Sequence, residues 1–274
     1  MKKSILVIGA TGKQGFAVVK KLLADGWHVR ALTRRAHHEG LASLNHANLD
    51  IFVGDLSHED DIMAAMHGQF AVYCVQPIVS DGADETLRRG QTIIKCAEKQ
   101  GVNYIVLSTA GGVNRNRYGA HFEALAQIEN TLATSTLAYT IIKPSFFMDN
   151  FLRIVSWEDG VVTIPEFINP HVRFAMISSI DIANIVATIF NHIPDYAGQS
   201  IEIAADMLTL NEVVMTFENV LGYPTKMSGT FMSETAERTW LEEKGYEINE
   251  ARMAEILPEP LRLKDWITHV FMTR

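Results

Sequence analysis

Two clusters in this sequence combine residue types and spacing that could do chemistry. The first is Gly9-Ala10-Thr11-Gly12-Lys13-Gln14-Gly15, which follows the apolar run Ser4 to Ile8 and opens a helical pattern. A glycine turn between a strand and a helix leaves backbone amides free at the helix N-terminus, where their partial positive charge holds a phosphate. In that reading Gly9 permits the tight turn, Gly12 admits a pyrophosphate to the backbone, and Gly15 lets helix and strand pack closely. The plain alternative is a structural turn in a βα unit, and the position directly after a strand favours the dinucleotide reading.

The second cluster is Ala31-Leu32-Thr33-Arg34-Arg35, with no acid between Asp25 and Glu39. A site for NAD places an acid at the end of this strand to accept from the ribose hydroxyls, whereas a cation there suits the 2′-phosphate of NADP. Arg34, helped by Arg35 or Lys13, therefore predicts NADP(H); the alternative is a solvated surface pair. Asp55, in Val53-Gly54-Asp55-Leu56, is placed to meet an adenine amino group or to serve as a cap or turn residue with Ser57. Val75-Gln76-Pro77, after the next strand, is expected to border the cofactor ribose by the same topology.

The elements that must position these residues alternate through the first half. Ser4 to Ile8, Val29 to Leu32, Leu49 to Val53, Phe70 to Cys74, Tyr104 to Leu107 and Ala138 to Ile142 read as strands, apolar on both faces as parallel strands under helices must be. Helical patterns lie between them at Gly15 to Ala24, Asp60 to Met66, Thr86 to Lys99 and Phe122 to Ala133. The alternation implies an α/β fold, a Rossmann-type doubly wound parallel sheet that binds ligands at the carboxyl ends of its strands. After residue 150 turns multiply. Ser179 to Phe190 and Gln199 to Ile203 read as a return to the sheet, and Leu210 to Leu221, Ser233 to Lys244, Glu250 to Ile256 and Leu263 to Phe271 read as helices. The expected division is residues 1–150 with 175–205 as the cofactor domain, and 151–174 with 206–274 as a smaller, mainly helical substrate lobe.

Composition narrows the function classes. Of 274 residues, 47% are hydrophobic and 20% charged, with 24 basic against 32 acidic side chains for a net charge of −8. That charge argues against broad binding to nucleic acid or anionic membranes, and it makes the Arg34–Arg35 pair stand out. The longest uncharged stretch, Ile62 to Ser80, contains Gly68, Gln69, Gln76 and Pro77 and does not read as a membrane span. The start, Met1-Lys2-Lys3, leads straight into a run too short for a signal-peptide core. Cys74 and Cys96 lie in apolar surroundings and suit a reducing, cytoplasmic setting. The histidines, including His37, His38 and His46, show no ligand spacing, so no metal site is expected.

These motifs resemble the NmrA-like branch of the atypical short-chain dehydrogenases/reductases. The resemblance rests on Gly9 to Gly15, Thr33-Arg34, Gly54-Asp55, Leu107-Ser108-Thr109-Ala110 and the block Lys143-Pro144-Ser145-Phe146-Phe147-Met148-Asp149-Asn150-Phe151. It implies an NADP-binding Rossmann domain with a small C-terminal lobe, and it places nicotinamide contacts at Pro144, Ser145, Phe146 and Phe147. Met148, Phe151, Trp157, Phe167 and Phe174 would line an apolar substrate region or form core. Related proteins include NADPH-dependent quinone reductases and non-catalytic sensors of the NADPH/NADP ratio.

The chain departs from the wider superfamily at the catalytic pair. Classical members carry Tyr-x-x-x-Lys on the helix after the fifth strand, with the Tyr as acid or base. Here Tyr118 is followed four residues later by Phe122, no Lys occurs between Lys99 and Lys143, and Leu125 stands where the resemblance implies a Lys facing the cofactor. Tyr139 to Lys143 matches the letters only, because residues four apart on a strand are roughly 13 Å apart. The remaining candidates are Ser108, in the region of the superfamily's catalytic Ser, Tyr118, and His121, whose near-neutral pKa suits proton donation. Each has a bland alternative: Ser108 satisfying a turn, His121 on a helix surface. The reading is an NADPH-dependent oxidoreductase passing hydride to a quinone or similar small apolar acceptor. The alternative is a non-catalytic redox sensor acting on a protein partner. An epimerase or dehydratase would need the missing pair.

Overall fold

The computed structural model describes residues 3–75, 82–115, 119–230 and 236–273, with the backbone alone at 230, 236 and 237. Two compact units emerge. The first comprises Met1–Lys143 and Ile182–Ile201, the second Pro144–Asp181 and Glu202–Arg274.

In the first unit the chain runs β1 (Ser4–Ile8), α1 (Lys13–Ala24), β2 (His28–Thr33), α2 (Glu39–Ser43), β3 (Leu49–Val53), α3 (Glu59–Met66), β4 (Ala71–Val75), α4 (Ala83–Lys99), β5 (Tyr104–Ser108), α5 (Ala120–Ala133) and β6 (Ala138–Pro144). The seven-stranded sheet has the order β11-β6-β5-β4-β1-β2-β3, with β11 at Gln199–Ile203, and the pairings from β3 through β6 are parallel. The strand order reverses between β1 and β4, which opens a crevice beyond their carboxyl ends. Ile5, Leu6, Val7 and Ile8 are all fully buried, so β1 is covered on both faces as its apolar run demands. On one face the core joins Leu6, Ile8, Val72 and Cys74 to Ile93, Ile128 and Leu132 from the covering helices. Cys74 and Cys96 are free and buried, and burial pushes the Cys74 thiol up to about 12.

The second unit contains β7 (Phe146–Phe147), α6 (Phe151–Ile154), β8 (Ser156–Glu158), β9 (Val161–Glu166), β10 (Arg173–Ile177), the start of α7 (Ser179–Asn191), β12 (Asp206–Thr209), α9 (Leu210–Leu221), β13 (Thr225–Thr230), α10 (Ala236–Glu243), α11 (Glu250–Ile256) and α12 (Leu263–His269); a short α8 (Ile193–Tyr196) belongs to the first unit. Local sequence explains several boundaries. Thr209 and Glu212 form a reciprocal capping box at the start of α9, and Gly222 closes that helix in the left-handed conformation (φ 72°).

The helices expected after residue 206 are present, and strands accompany them. Two three-stranded sheets, β12-β10-β7 and β13-β9-β8, occupy segments that the sequence marks mainly by turns. Boundaries also shift at the helix starts that matter for the site. Helix α1 begins at Lys13 and α5 at Ala120, earlier than the apolar periodicity indicates, because the first turn of each carries polar residues.

Asp181 illustrates how the second unit is fastened. Almost fully buried, it accepts from the Leu261 amide at 3.1 Å and the Ser178 hydroxyl at 2.7 Å. Burial pushes its carboxyl up from 3.8 to about 6, against those hydrogen bonds and the Arg262 charge, which pull it down. The folded protein thus binds this proton more tightly than the unfolded chain. The contribution is full below the unfolded value and is lost as pH rises through about 6. The stability of the wild type relative to Asp181→Asn, from urea denaturation, is expected to fall on the order of 3 kcal/mol as pH rises from about 4 to about 7. A difference independent of pH would contradict the shift.

Candidate functional site

The crevice at the strand-order reversal is edged by the glycine turn. Gly9 sits at φ +85°, and a Cβ there would lie 3.1 Å from Cβ of Val75 at the end of β4. The Gly12 amide donates to the Gly9 carbonyl at 3.0 Å, which closes the turn. At Gly15 a Cβ would stand 2.1 Å from the Gly9 carbonyl oxygen and 2.6 Å from its carbon, so no side chain fits. Gly12 differs from both: among the described residues its Cβ would meet only the Gly9 oxygen, at 3.5 Å. The protein's own packing therefore requires glycine at 9 and 15, while position 12 is left open to an approaching group. Gly12 caps α1 without a side-chain hydrogen bond, the first turn holds no acid, and Thr11, Gly12 and Lys13 are exposed. The positive end of the α1 dipole is thus available to an anion. Ala10 is buried beneath the turn.

Gln14, expected to touch the cofactor, turns its side chain into the sheet. Its Nε2 donates to the Tyr73 hydroxyl at 2.7 Å and to the Ser108 hydroxyl at 2.6 Å. Ser108 also hydrogen-bonds the Tyr73 phenol, whose burial raises it well above its ordinary value of 10. Three elements meet here: the first turn of α1, β4 and the end of β5. Ser108 is 1% exposed, and its hydroxyl is engaged by these two side chains. Tyr73 was not singled out by its sequence context. The available signal was a tyrosine inside a fully buried strand, which must find a polar partner.

At the end of β2, Arg34 and Arg35 are exposed, and the backbone turns there as the Arg35 amide donates to Thr33 Oγ1 at 3.2 Å. Asp55 takes up the turn role: its Oδ1 accepts from the Ser57 amide at 2.9 Å and the Ser57 hydroxyl at 2.8 Å. Those bonds, chiefly, and the nearby Arg34 and Arg89 charges hold the Asp55 carboxyl below 3.8. Its Oδ2 accepts no hydrogen bond among the described residues, so an amino group could still be met. Leu56 packs against the core and Val75 is half-buried. Gln76, Pro77 and Tyr118 lie outside the described residues.

Beyond β5 the loop is pinned by Glu129 of α5, a residue that no motif in the sequence marks. Its carboxylate accepts from Thr109 Oγ1 at 2.6 Å and Asn114 Nδ2 at 3.1 Å, and it pairs with Lys143 at 2.9 Å. Glu129 and Lys143 are both buried, so each charge is offset where water is excluded. Tyr139 and Lys143 do stand on one strand, β6. Leu125 corrects an expectation: instead of facing a cofactor it is 4% exposed and packed in the core beside Ile128. His121 lies in the first turn of α5 with its ring edge-on to Phe122, and partial burial lowers its imidazole below 6.5. It is neutral at neutral pH, suited to hydrogen bonding more than to acting as a cationic acid.

Pro144, Ser145, Phe146 and Phe147 belong to the second unit. The Ser145 amide donates to the Ile203 carbonyl at 3.1 Å, while its buried hydroxyl finds no partner among the described residues. An orphaned buried hydroxyl marks a place where a ligand or water completes the set. Phe146 stacks on Phe167 at 5.0 Å and meets Phe174 edge-on at 5.6 Å and Phe151 at 5.5 Å. Phe151, Phe167 and Phe174, with Met148, are buried within this unit, as the core alternative anticipated, whereas Trp157 is 38% exposed and lies against Tyr223.

A glycine cradle at the switch point of a doubly wound sheet defines a protein of the Rossmann-like class. The chain belongs to the NmrA-like family, whose model matches residues 1–251. It is 30% identical over 148 residues to the NAD(P)H azoreductase of Xenophilus azovorans, a stretch spanning 54% of this chain and 50% of that protein. Among solved structures it resembles NmrA, a negative transcriptional regulator in complex with NADP, with TM-score 0.84 at 16% identity over 99% of this chain and 96% of that one. It also resembles an NADPH-dependent quinone oxidoreductase from Escherichia coli complexed with NADPH, with TM-score 0.80 at 16% identity over 97% of this chain and 99% of that one. At these identities the structural likeness establishes the fold.

Proposed function

We propose that this protein is an NADP(H)-dependent oxidoreductase that reduces a quinone or a similar flat, apolar acceptor. The observation that carries the reading is the glycine cradle: open at Gly12, closed at Gly9 and Gly15, and set at the uncapped end of α1. The cradle fits a pyrophosphate by shape and by charge. Thr11, Gly12 and Lys13 would receive the phosphates, Arg34 with Arg35 the 2′-phosphate, Asp55 the adenine amino group, and Val75 the ribose. Ala10, Gln14 and Gly15 would act by holding the turn. Pro144, Phe146, Phe147 and the unpartnered Ser145 hydroxyl are assigned to the nicotinamide end.

NADPH, when bound, supplies the hydride. The chain's part is then to orient the acceptor and exclude water, which converts a bimolecular encounter into a positioned one. Transfer to a quinone asks less of a general acid than transfer to a ketone, and this suits the missing Tyr/Lys pair. Lys143, the remaining lysine in that region, is committed to Glu129. His121, neutral and half-buried, is the assigned hydrogen-bond partner on α5 for the acceptor oxygen, with Tyr118 beside it in sequence. Ser108 is a positioning residue acting through Gln14 and Tyr73. The relatives named as azoreductase and quinone oxidoreductase support a reductive role on extended acceptors.

Two outcomes are expected. Purified protein oxidises NADPH in the presence of at least one member of a panel of benzoquinones, naphthoquinones and azo compounds, read by loss of nicotinamide absorbance. Tight NADP+ binding without turnover on any of them would contradict the reductase and leave a sensor of the NADPH/NADP ratio. In calorimetric titrations Arg34→Ala weakens NADP+ about tenfold and leaves NAD+ unchanged, as expected for one charged hydrogen-bond partner of the 2′-phosphate. Equal losses for both dinucleotides would remove Arg34 from that role.

A further inference from the structure

The second unit holds a cavity of about 310 Å³ to which no role has been given. Its apolar lining includes Ala205, Met207, Met253, Ala254 and Leu257. One wall is the segment containing Pro258, Pro260 and Arg262, which leads into α12. The volume falls at the lower end of the roughly 300–1,000 Å³ that small-molecule sites span.

The wall is built, not merely adjacent. Two carboxylates from different elements hold amides two residues apart: Asp181 at the start of α7 takes the Leu261 amide at 3.1 Å, and Asp206 of β12 takes the Leu263 amide at 2.9 Å. Arg262 lies between these staples. Its Nη1 donates to the Ala205 carbonyl at 2.5 Å and lies 3.6 Å from Asp206 Oδ1. That same Oδ1 already accepts the Met207 amide at 2.9 Å, so both Asp206 oxygens are occupied with backbone. One edge of the Arg262 guanidinium is thus anchored while the side chain remains 57% exposed. Its Nε and Nη2 have no hydrogen-bond partner among the described residues. An oriented guanidinium with spare donors at the mouth of an apolar cavity matches a carboxylate in shape and charge.

We propose that this cavity binds a small amphipathic monocarboxylate, with its hydrocarbon part against Met207, Met253 and Leu257 and its carboxylate on Arg262. Asp206 and Glu250 also line the cavity; both Asp206 oxygens are taken up by backbone amides, and Glu250 disfavours a second negative charge on the ligand. None of the glycine-cradle residues lines this site, so it is separate from the dinucleotide reading and does not depend on it.

Methionine methyl NMR of the full chain tests the proposal with octanoate as the probe and 1-octanol and octylamine as comparators. Octanoate is expected to shift the Met207 and Met253 methyl signals saturably while leaving Met66, buried in the first unit, unmoved. Arg262→Gln weakens octanoate about fivefold to tenfold, the effect of losing a charged hydrogen-bond partner at a half-exposed site. Ala254→Trp, at an exposed position of α11, fills the cavity and abolishes the shifts without touching the staples. Octylamine or octanol binding as tightly as octanoate, unchanged affinity in Arg262→Gln, or the absence of shifts at Met207 and Met253 would each overturn it.

Discussion

The first unit depends on one close approach, that of Gly15 to the carbonyl of Gly9. With no Cβ at position 15, the first turn of α1 can lie directly over the end of β1; any side chain would be driven into backbone at 2.1 Å. That approach sets where the helix amides emerge and brings Gln14 far enough inward to reach Tyr73 on β4 and Ser108 on β5. The cradle is therefore tied to two strands by a buried network as well as to β1 by the chain. Burying an amide and two hydroxyls is tolerable because each finds a partner; removing one leaves the others to bear a desolvation cost of about 1–3 kcal/mol.

The same economy of polar groups shapes the chemistry open to this protein. The hydroxyl of Ser108 and the ammonium of Lys143 stand at the carboxyl ends of neighbouring strands, β5 and β6, yet both are engaged inside the unit, one by Gln14 and the other by Glu129. Burial leaves the Tyr73 phenol harder to ionise, and His121 neutral. A site furnished in this way is better suited to binding and orienting than to strong acid catalysis. On the proposed function, an acceptor that needs little protonation suits such a site.

Much of the first unit was legible because its signals are local. Runs apolar on both faces, such as Ile5 to Ile8, suit covered parallel strands, and the spacing of Gly9, Gly12 and Gly15 carries its own mechanical meaning. Residues whose role lies in a distant partner were not legible. Gln14 belongs to the turn in sequence but to the sheet interior in space, Tyr73 is one residue of an apolar strand run, and the role of Glu129 lies in Thr109, Asn114 and Lys143, which its own helix does not supply. Leu125 lies in the core beside Ile128, and sequence position alone does not say which face of a helix turns inward. The short strands of the second unit, two to six residues long, lack the length over which alternation can be read.

On the proposed function, the role of Gly15 is to form the anion cradle by admitting the Gly9 carbonyl. Its most direct test is calorimetric titration of Gly15→Ala with NADP+, accompanied by a thermal melt. Binding is expected to weaken by at least about a hundredfold in a protein that still melts cooperatively, since the displaced turn no longer presents its amides. A Gly15→Ala protein that binds NADP+ as tightly as the wild type would contradict it.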